Sequence, residues 1–259
     1  MHIEAAMRTL NVLTYNIAHG RGLSPYQGLH SKNRTIRMLD RISSLVHHLS
    51  PDVAALQEAD VGSHWNHRIN AVEHMREKAG YEHAAAGVHN IRHGKKPLAY
   101  GNALISKGRI LSCETLPFGI NELGEKGCMI AQIESKDTSH ALVNLHLDYK
   151  SRTERLGQIE IMLARIESSD LVQQPIICGD FNSTYKGDDD AVCRLLTFMK
   201  KYDDYTLWPQ RGGTFPSPFP LRRLDFFFVP SRYRVRCCEV VPSMLSDHRP
   251  VLITLEYSS

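Results

Sequence analysis

The sequence, 259 residues long, lacks any apolar run of the length a bilayer-spanning helix needs. Its opening, Met1 to Arg8, lacks the basic head and apolar stretch of a signal peptide, so a cytoplasmic location is expected. Zinc spacings are missing. None of the six cysteines (Cys113, Cys128, Cys178, Cys193, Cys237, Cys238) forms a CxxC pair, and there is no HExxH. Reduced thiols are the expected state. No GxSxG is present, and nothing marks a Ser or Cys as nucleophile. Neither sign of charge dominates: Lys+Arg 31 against Asp+Glu 28 gives +3, which leans against a life of non-specific binding to nucleic acid. Gly 17 and Pro 12 are too few for a low-complexity chain. What remains is 42% apolar and 23% charged, the composition of a globular protein that folds without staples.

Strand and helix signals alternate along the chain. Strands are expected at 10–15, 53–56, 102–106, 129–133, 141–147, 175–178, 224–229, 235–241 and 251–256. Apolar residues at spacings of three and four, such as Ile36, Leu39, Ile42, Leu45, Val46 and Leu49, predict a helix over 34–49 that Pro51 stops. Further helices are expected at 69–79, 154–166 and 191–199. Gly212-Gly213 with Pro216, Pro218 and Pro220 makes a stiff loop too short to be a boundary. One α/β domain over 1–259, with two similar halves, is the economical reading.

Polar residues recur where apolar strands run out. Asn16 follows Val12 to Tyr15, Glu58 follows Val53 to Leu56, and His146 closes Val143 to Leu145. Asp180 and Asn182 follow Ile176 to Cys178, and Asp247 and His248 precede Pro250 and Val251. Singly, each has a plain explanation: a turn cap for Asn16, a satisfied core histidine for His146, a helix-start charge for Glu58. As a set they can converge on one cleft at the strand ends of a sheet. Glu58 is a hard oxygen ligand suited to Mg²⁺ or Mn²⁺. Asp180 and Asp247 can hold or activate water, while His146, His248, Asn16 and Asn182 can meet an anion. That combination fits metal-assisted hydrolysis of a phosphate ester.

Seven segments carry a family resemblance: Leu13-Thr14-Tyr15-Asn16, Leu56-Gln57-Glu58, Gly101-Asn102-Ala103-Leu104-Ile105-Ser106, Val143-Asn144-Leu145-His146-Leu147, Gly179-Asp180-Phe181-Asn182, Arg223-Leu224-Asp225-Phe226-Phe227 and Ser246-Asp247-His248-Arg249-Pro250. In this order they resemble the endonuclease/exonuclease/phosphatase superfamily, which includes pancreatic-type deoxyribonuclease, apurinic endonucleases, neutral sphingomyelinases and inositol polyphosphate 5-phosphatases. The resemblance implies a four-layered α/β sandwich of two packed mixed sheets flanked by helices. It implies Glu58 as main metal ligand, with Asn16 beside metal and phosphate and Asp247 completing the metal side. Asp180 would position or deprotonate water, Asn182 would hold the phosphate, and His248 would contact it, oriented by Asp225. His146 would be a second phosphate histidine. Asn102 and Arg152 join Asn16, Asn182 and His146 as expected substrate contacts.

Two positions depart from the apurinic endonucleases. Ala18 stands where they have an acidic residue, and His146 where they have Tyr. The His form resembles the deoxyribonuclease, sphingomyelinase and phosphatase branches. Arg21, Lys95, Lys96, Lys150, Arg152, Arg155, Arg222 and Arg223 lie near the motifs and are candidates for a basic rim, each also readable as solvated surface charge. The expected protein is a monomeric Mg²⁺- or Mn²⁺-dependent phosphodiesterase acting on a small or lipid-type phosphodiester. The alternatives are a nuclease or DNA-repair enzyme with nucleic acid as partner, and a catalytically silent module that holds a phosphorylated ligand.

Overall fold

The computed structural model describes residues 7–119, 126–169, 174–185, 190–201 and 203–258. Period-two alternation governs the first strand, β1 (Met7–Asn16). Leu10 and Val12 join one apolar cluster, whereas Leu13 and Tyr15 join another on the opposite face. Helix α1 (Lys32–Leu49) begins where the Ser31 side chain accepts the Arg34 N–H, and it ends at Ser50, in the left-handed region before Pro51. β2 (Val53–Asp60) then lies parallel to β1. Helix α2 (Ala71–Ala79), capped by Asn70 and closed by Gly80, precedes the hairpin of β3 (His83–Arg92) and β4 (Leu98–Ser106).

The second sheet takes up β5 (Ile110–Pro117), β6 (Gly127–Ser135) and β7 (Thr138–His146). Helix α3 (Arg152–Glu167), capped by Ser151, carries the chain over to β8 (Ile176–Asp180), parallel to β7. Helix α4 (Ala191–Met199), β9 (Thr206–Trp208) and β10 (Asp225–Val229) follow. The chain returns to the first sheet with β11 (Arg234–Val240) and β12 (Val251–Ser258). The orders are β11-β12-β1-β2-β4-β3 and β5-β6-β7-β8-β10-β9. Each sheet thus has a central parallel pair spanned by a helix, and its other pairings are antiparallel.

Three apolar clusters define four layers. One, with Leu10, Val12, Met129, Cys178, Phe227 and Ile253, fills the space between the sheets. A second seats α1 and α2 on the first sheet through Leu39, Ile42, Val46 and Met75. The third seats α3 and α4 on the second sheet through Ile159, Leu163, Leu195, Phe226 and Phe228. The expected two-sheet sandwich flanked by helices is the observed one. β3, β5 and β9 have no counterpart among the expected strands. All three are edge strands, bonded on one side only, so they need little of the apolar alternation that marks central strands.

Amides lock the sheets together. Gln57 Nε2 on β2 donates to Asn144 Oδ1 on β7 at 2.7 Å. Asn144 Nδ2 donates back to the carbonyls of Leu56 and Ala103 at 2.9 and 3.0 Å. Asn102 Nδ2 donates to the carbonyls of Gly127 and Asn144 at 3.0 and 2.9 Å. All three side chains are buried, so each lost bond would strand a polar group away from water.

Candidate active site

Strands β1, β2, β7 and β8 deliver Asn16, Glu58, His146 and Asp180 to one end of the sandwich. His146 pairs with Asp180 across β7 and β8, and Asp180 pairs with Asp225 across β8 and β10. Three chemically active residues therefore stand side by side on neighbouring strands. Gly179 makes this row fit. Its φ is +141°, and a Cβ there would lie 1.9 Å from the Leu145 carbonyl oxygen. No other residue type tolerates both conditions.

Asp180 is the hub. Its Oδ2 accepts from Asn16 Nδ2 at 3.0 Å, a bond that crosses from one sheet to the other. Its Oδ1 accepts the Asn182 N–H at 2.9 Å. The Nε2 atoms of His146 and His248 lie 3.5 and 3.6 Å from Asp180 Oδ2. His248 is held from behind, its Nδ1 2.9 Å from Asp225 Oδ2. That spacing fits a ring that donates to Asp225 through Nδ1 and leaves Nε2 facing Asp180.

The surroundings push these groups apart in acidity. Burial lifts the Asp180 carboxyl to about 6, opposed by His248 and assisted by Asp225. Burial works against charge on His248, yet Asp225 and then Asp180 overcome it and raise the imidazole to about 10. His146 goes the other way: burial, followed by the neighbouring Lys126, drives it well below its usual value. At neutral pH the cluster thus holds an imidazolium, a neutral imidazole and a carboxylate, a division suited to acid–base work.

Glu58 occupies the other side. A register irregularity between Leu56 and Ala59 and a left-handed φ of 54° at Glu58 interrupt β2. Ala18, His19 and Asn182 share that unusual region, so four non-glycine positions around the site carry backbone strain. His19 Nδ1 lies 3.0 Å from Asp60 Oδ2, and its Nε2 lies 3.4 Å from Glu58 Oε2. Trp65 Nε1 donates to Asp60 Oδ1 at 3.1 Å, and the Trp65 and Tyr100 rings stand edge-on to His19. The pair His19–Asp60, anchored on β2, repeats what His248–Asp225, anchored on β10, does. Burial raises the Glu58 carboxyl, but His19, Lys126, His146 and His248 outweigh it and hold it below the usual carboxylate range.

His19, Asp60 and Lys126 are absent from the sequence-derived set. Glu58 and Asp60 lie two apart on one strand, and that spacing could have signalled a second acid. Lys126 Nζ sits 2.8 Å from His146 Nε2 and announces itself by no pattern.

Several expected residues also have partners within the protein. Asn102 serves the sheet junction. Asp247 is paired with Arg21, whose Nη2 donates to Asp247 Oδ2. Asn16 Oδ1 accepts the Ala18 N–H at 3.0 Å. Of the expected metal trio, Asn16 and Asp247 are hydrogen-bonded within the protein, and Glu58 faces His19 and His146 at 3.4 and 3.9 Å. Among the described residues, one trio of carboxylate and imidazole side chains has its ligand atoms all within 4.8 Å of one another: Asp180, Asp225 and His248. Asn182 does not extend alongside Asp180. Its φ of 46° turns the chain, and Asn182 Nδ2 donates to the Leu147 carbonyl at 3.0 Å. Arg152 opens α3 on the exposed rim, and Arg155 is buried against Asp148 and Asp190.

The profile of the Endonuclease/Exonuclease/phosphatase family matches residues 13–248, and the chain belongs to that family. Its fold is shared with a family protein from Bacteroides thetaiotaomicron: TM-score 0.73, 17% identity, covering 98% of this chain and 100% of that one. A mannosyl-6-phosphatase from the same organism gives a TM-score of 0.71 at 18% identity, covering 95% and 99%. D. rerio TDP2, solved with a single-strand DNA product, gives 0.67 at 16% identity, covering 95% and 98%. At these identities the likeness speaks for the fold. No curated protein matches the sequence.

Proposed function

We propose that the protein is a divalent-metal-dependent phosphodiesterase that cleaves a small or lipid-type phosphodiester by direct attack of water on phosphorus. The observation that carries this reading is the convergence of two histidine Nε2 atoms on Asp180 Oδ2, at 3.5 and 3.6 Å, with Glu58 Oε1 3.9 Å from the same His146 Nε2. Asp180 accepts the proton of the attacking water as the new P–O bond forms and the P–O bond opposite it breaks, the leaving alkoxide taking a proton from solvent. His248, as imidazolium held by Asp225, donates its Nε2–H to a phosphoryl oxygen. His146, neutral, faces the same phosphate from β7 of the second sheet.

Glu58 fits a hard cation. Among the described residues its carboxylate accepts no hydrogen bond, and at 20% exposure it can meet an ion that keeps several waters. Bound there, Mg²⁺ or Mn²⁺ supplies positive charge to the phosphate. The test is turnover of bis-p-nitrophenyl phosphate with Mg²⁺ or Mn²⁺ beside p-nitrophenyl phosphate. Hydrolysis of the diester at the higher kcat/KM supports the reading, and a preference for the monoester overturns it. A silent binding module would turn over neither.

A further inference from the structure

Among the described residues, exposed large apolar side chains are distributed one-sidedly. Among the described residues the most exposed large ones are Leu221 at 86% and Phe219 at 77%. Tyr26, Leu29, Tyr149, Met244 and Ile91 follow. All of these lie at the end of the sandwich that carries the site. Tyr26 and Leu29 sit between β1 and α1, Tyr149 between β7 and α3, Met244 between β11 and β12, and Ile91 beside the β3–β4 turn. At the opposite end Met7, 58% exposed at a strand start, is the largest such exposure among the described residues.

The Phe219–Leu221 tip is not a slack loop. Phe215 and Arg222 exchange backbone hydrogen bonds, each at 2.9 Å, across its base. Ser217 N–H donates to the Asp247 carbonyl at 2.7 Å, and Arg249 Nε donates to the Ser217 carbonyl at 2.8 Å. The Phe215 ring lies 4.9 Å from that of His248, so the tip stands on the wall of the site. A protein does not ordinarily hold a Phe and a Leu rigidly in water without something to receive them.

Positive charge accompanies the apolar tip. Arg211, Arg222 and Arg223 line an open groove of about 280 Å³ with Tyr185 and Leu221, and among the described residues no acidic side chain lines it. Lys150 rides over the Tyr149 ring, 5.1 Å from its centroid, and Lys95 and Lys96 are exposed at the β3–β4 turn. Basic residues around projecting aromatic and aliphatic side chains match the headgroup and upper acyl region of a membrane. A nucleic-acid strand would use the arginines and the aromatic faces but has no use for Leu29, Leu221 and Met244, which cannot stack on bases.

We propose that this end of the molecule docks on a bilayer containing anionic phospholipid, and that the diester it cleaves belongs to a lipid in that layer. The proposal rests on the phosphodiesterase reading above. The test uses the full chain with vesicles of phosphatidylcholine alone or mixed with phosphatidylglycerol, in a sedimentation assay. The wild type is expected to bind the mixed vesicles, less so at high salt. The double variant Phe219→Ser/Leu221→Ser is expected to lose roughly tenfold or more in partitioning, while its turnover of soluble bis-p-nitrophenyl phosphate stays unchanged. Absence of wild-type binding, or equal binding by the variant, overturns docking. Binding of a single-stranded oligonucleotide in place of vesicles overturns it in favour of a nucleic-acid surface. Turnover of the soluble diester with no release of headgroup from bound vesicles overturns the lipid substrate. Vesicle binding by a protein inert toward every diester instead sinks the phosphodiesterase reading and leaves the docking surface standing.

Discussion

Asp180 and Asp225 stand opposite each other in the register of β8 and β10, and His248 reaches both, at 3.6 Å through Nε2 and 2.9 Å through Nδ1. Two carboxylates with one imidazole between them divide the labour: one fixes the ring, the other is left for chemistry. Asp180→Asn keeps the shape and removes the proposed base. Turnover should fall by ~10²–10⁴-fold, with the melting temperature little changed because the substitution is nearly isosteric. A folded variant with near wild-type turnover in saturating Mg²⁺ would show that Asp180 is not the base.

The pH dependence follows from the two shifted groups. Asp180, lifted to about 6, must be ionised to take a proton, so the rate should fall as pH drops through that value. His248, raised to about 10, must be charged, so the alkaline limb should begin only near there. NMR titration of His248 in metal-free protein checks the second point independently of turnover. Asp225→Asn should bring its pKa down sharply and lower the rate less than His248→Ala does. Titration of the wild-type ring near the ordinary histidine value would contradict the pairing.

Removing the metal should remove the activity. EDTA is expected to abolish hydrolysis, and Mg²⁺ or Mn²⁺ to restore it. Glu58→Gln should weaken Mn²⁺ binding in calorimetry without substrate, whereas Asp247→Asn, at a residue engaged by Arg21, should weaken it far less. Equal losses from the two variants would return Asp247 to the metal's side.

Glycine supplies a paired test of stability. At Gly179 an added Cβ meets the Leu145 carbonyl oxygen at 1.9 Å, and the left-handed φ strains any side chain besides. Gly179→Ala should fold poorly or not at all. At Gly157, in the middle of α3, a Cβ meets nothing within 4 Å. Gly157→Ala should stabilise by about 0.5–1 kcal/mol in urea titration. Similar stabilities for the two variants would mean that β7 and β8 do not pack as described.

The chain discloses its architecture unevenly. Central strands and helices are legible because burial on both sides demands apolar residues, as in Ile176-Ile177-Cys178 or the Leu39, Ile42 and Val46 stripe. Edge strands β3, β5 and β9 escape because water and a single neighbour satisfy them. Strand-end polarity located Asp180, Glu58 and His146 near one another. It could not say that Asp247 turns to Arg21, since that depends on a loop 226 residues away. Nor could it find His19, which arrives beside Glu58 through two consecutive left-handed residues that no periodicity marks.

The amide junction between the sheets bears on how the molecule comes into being. Gln57 and Asn144 are 87 residues apart, and Asn16 and Asp180 are 164 apart. Such contacts form late, after the chain has closed its long loops. His248 and Asp225, only 23 apart, can find each other much earlier. During refolding, helical and strand signals should therefore return before hydrolysis does, and the lag between them measures the docking of one finished sheet on the other. Until that docking is complete, Asn16 and Glu58 stay on one sheet and His146, Asp180 and Asp225 on the other, so the cluster around Asp180 exists in neither sheet alone.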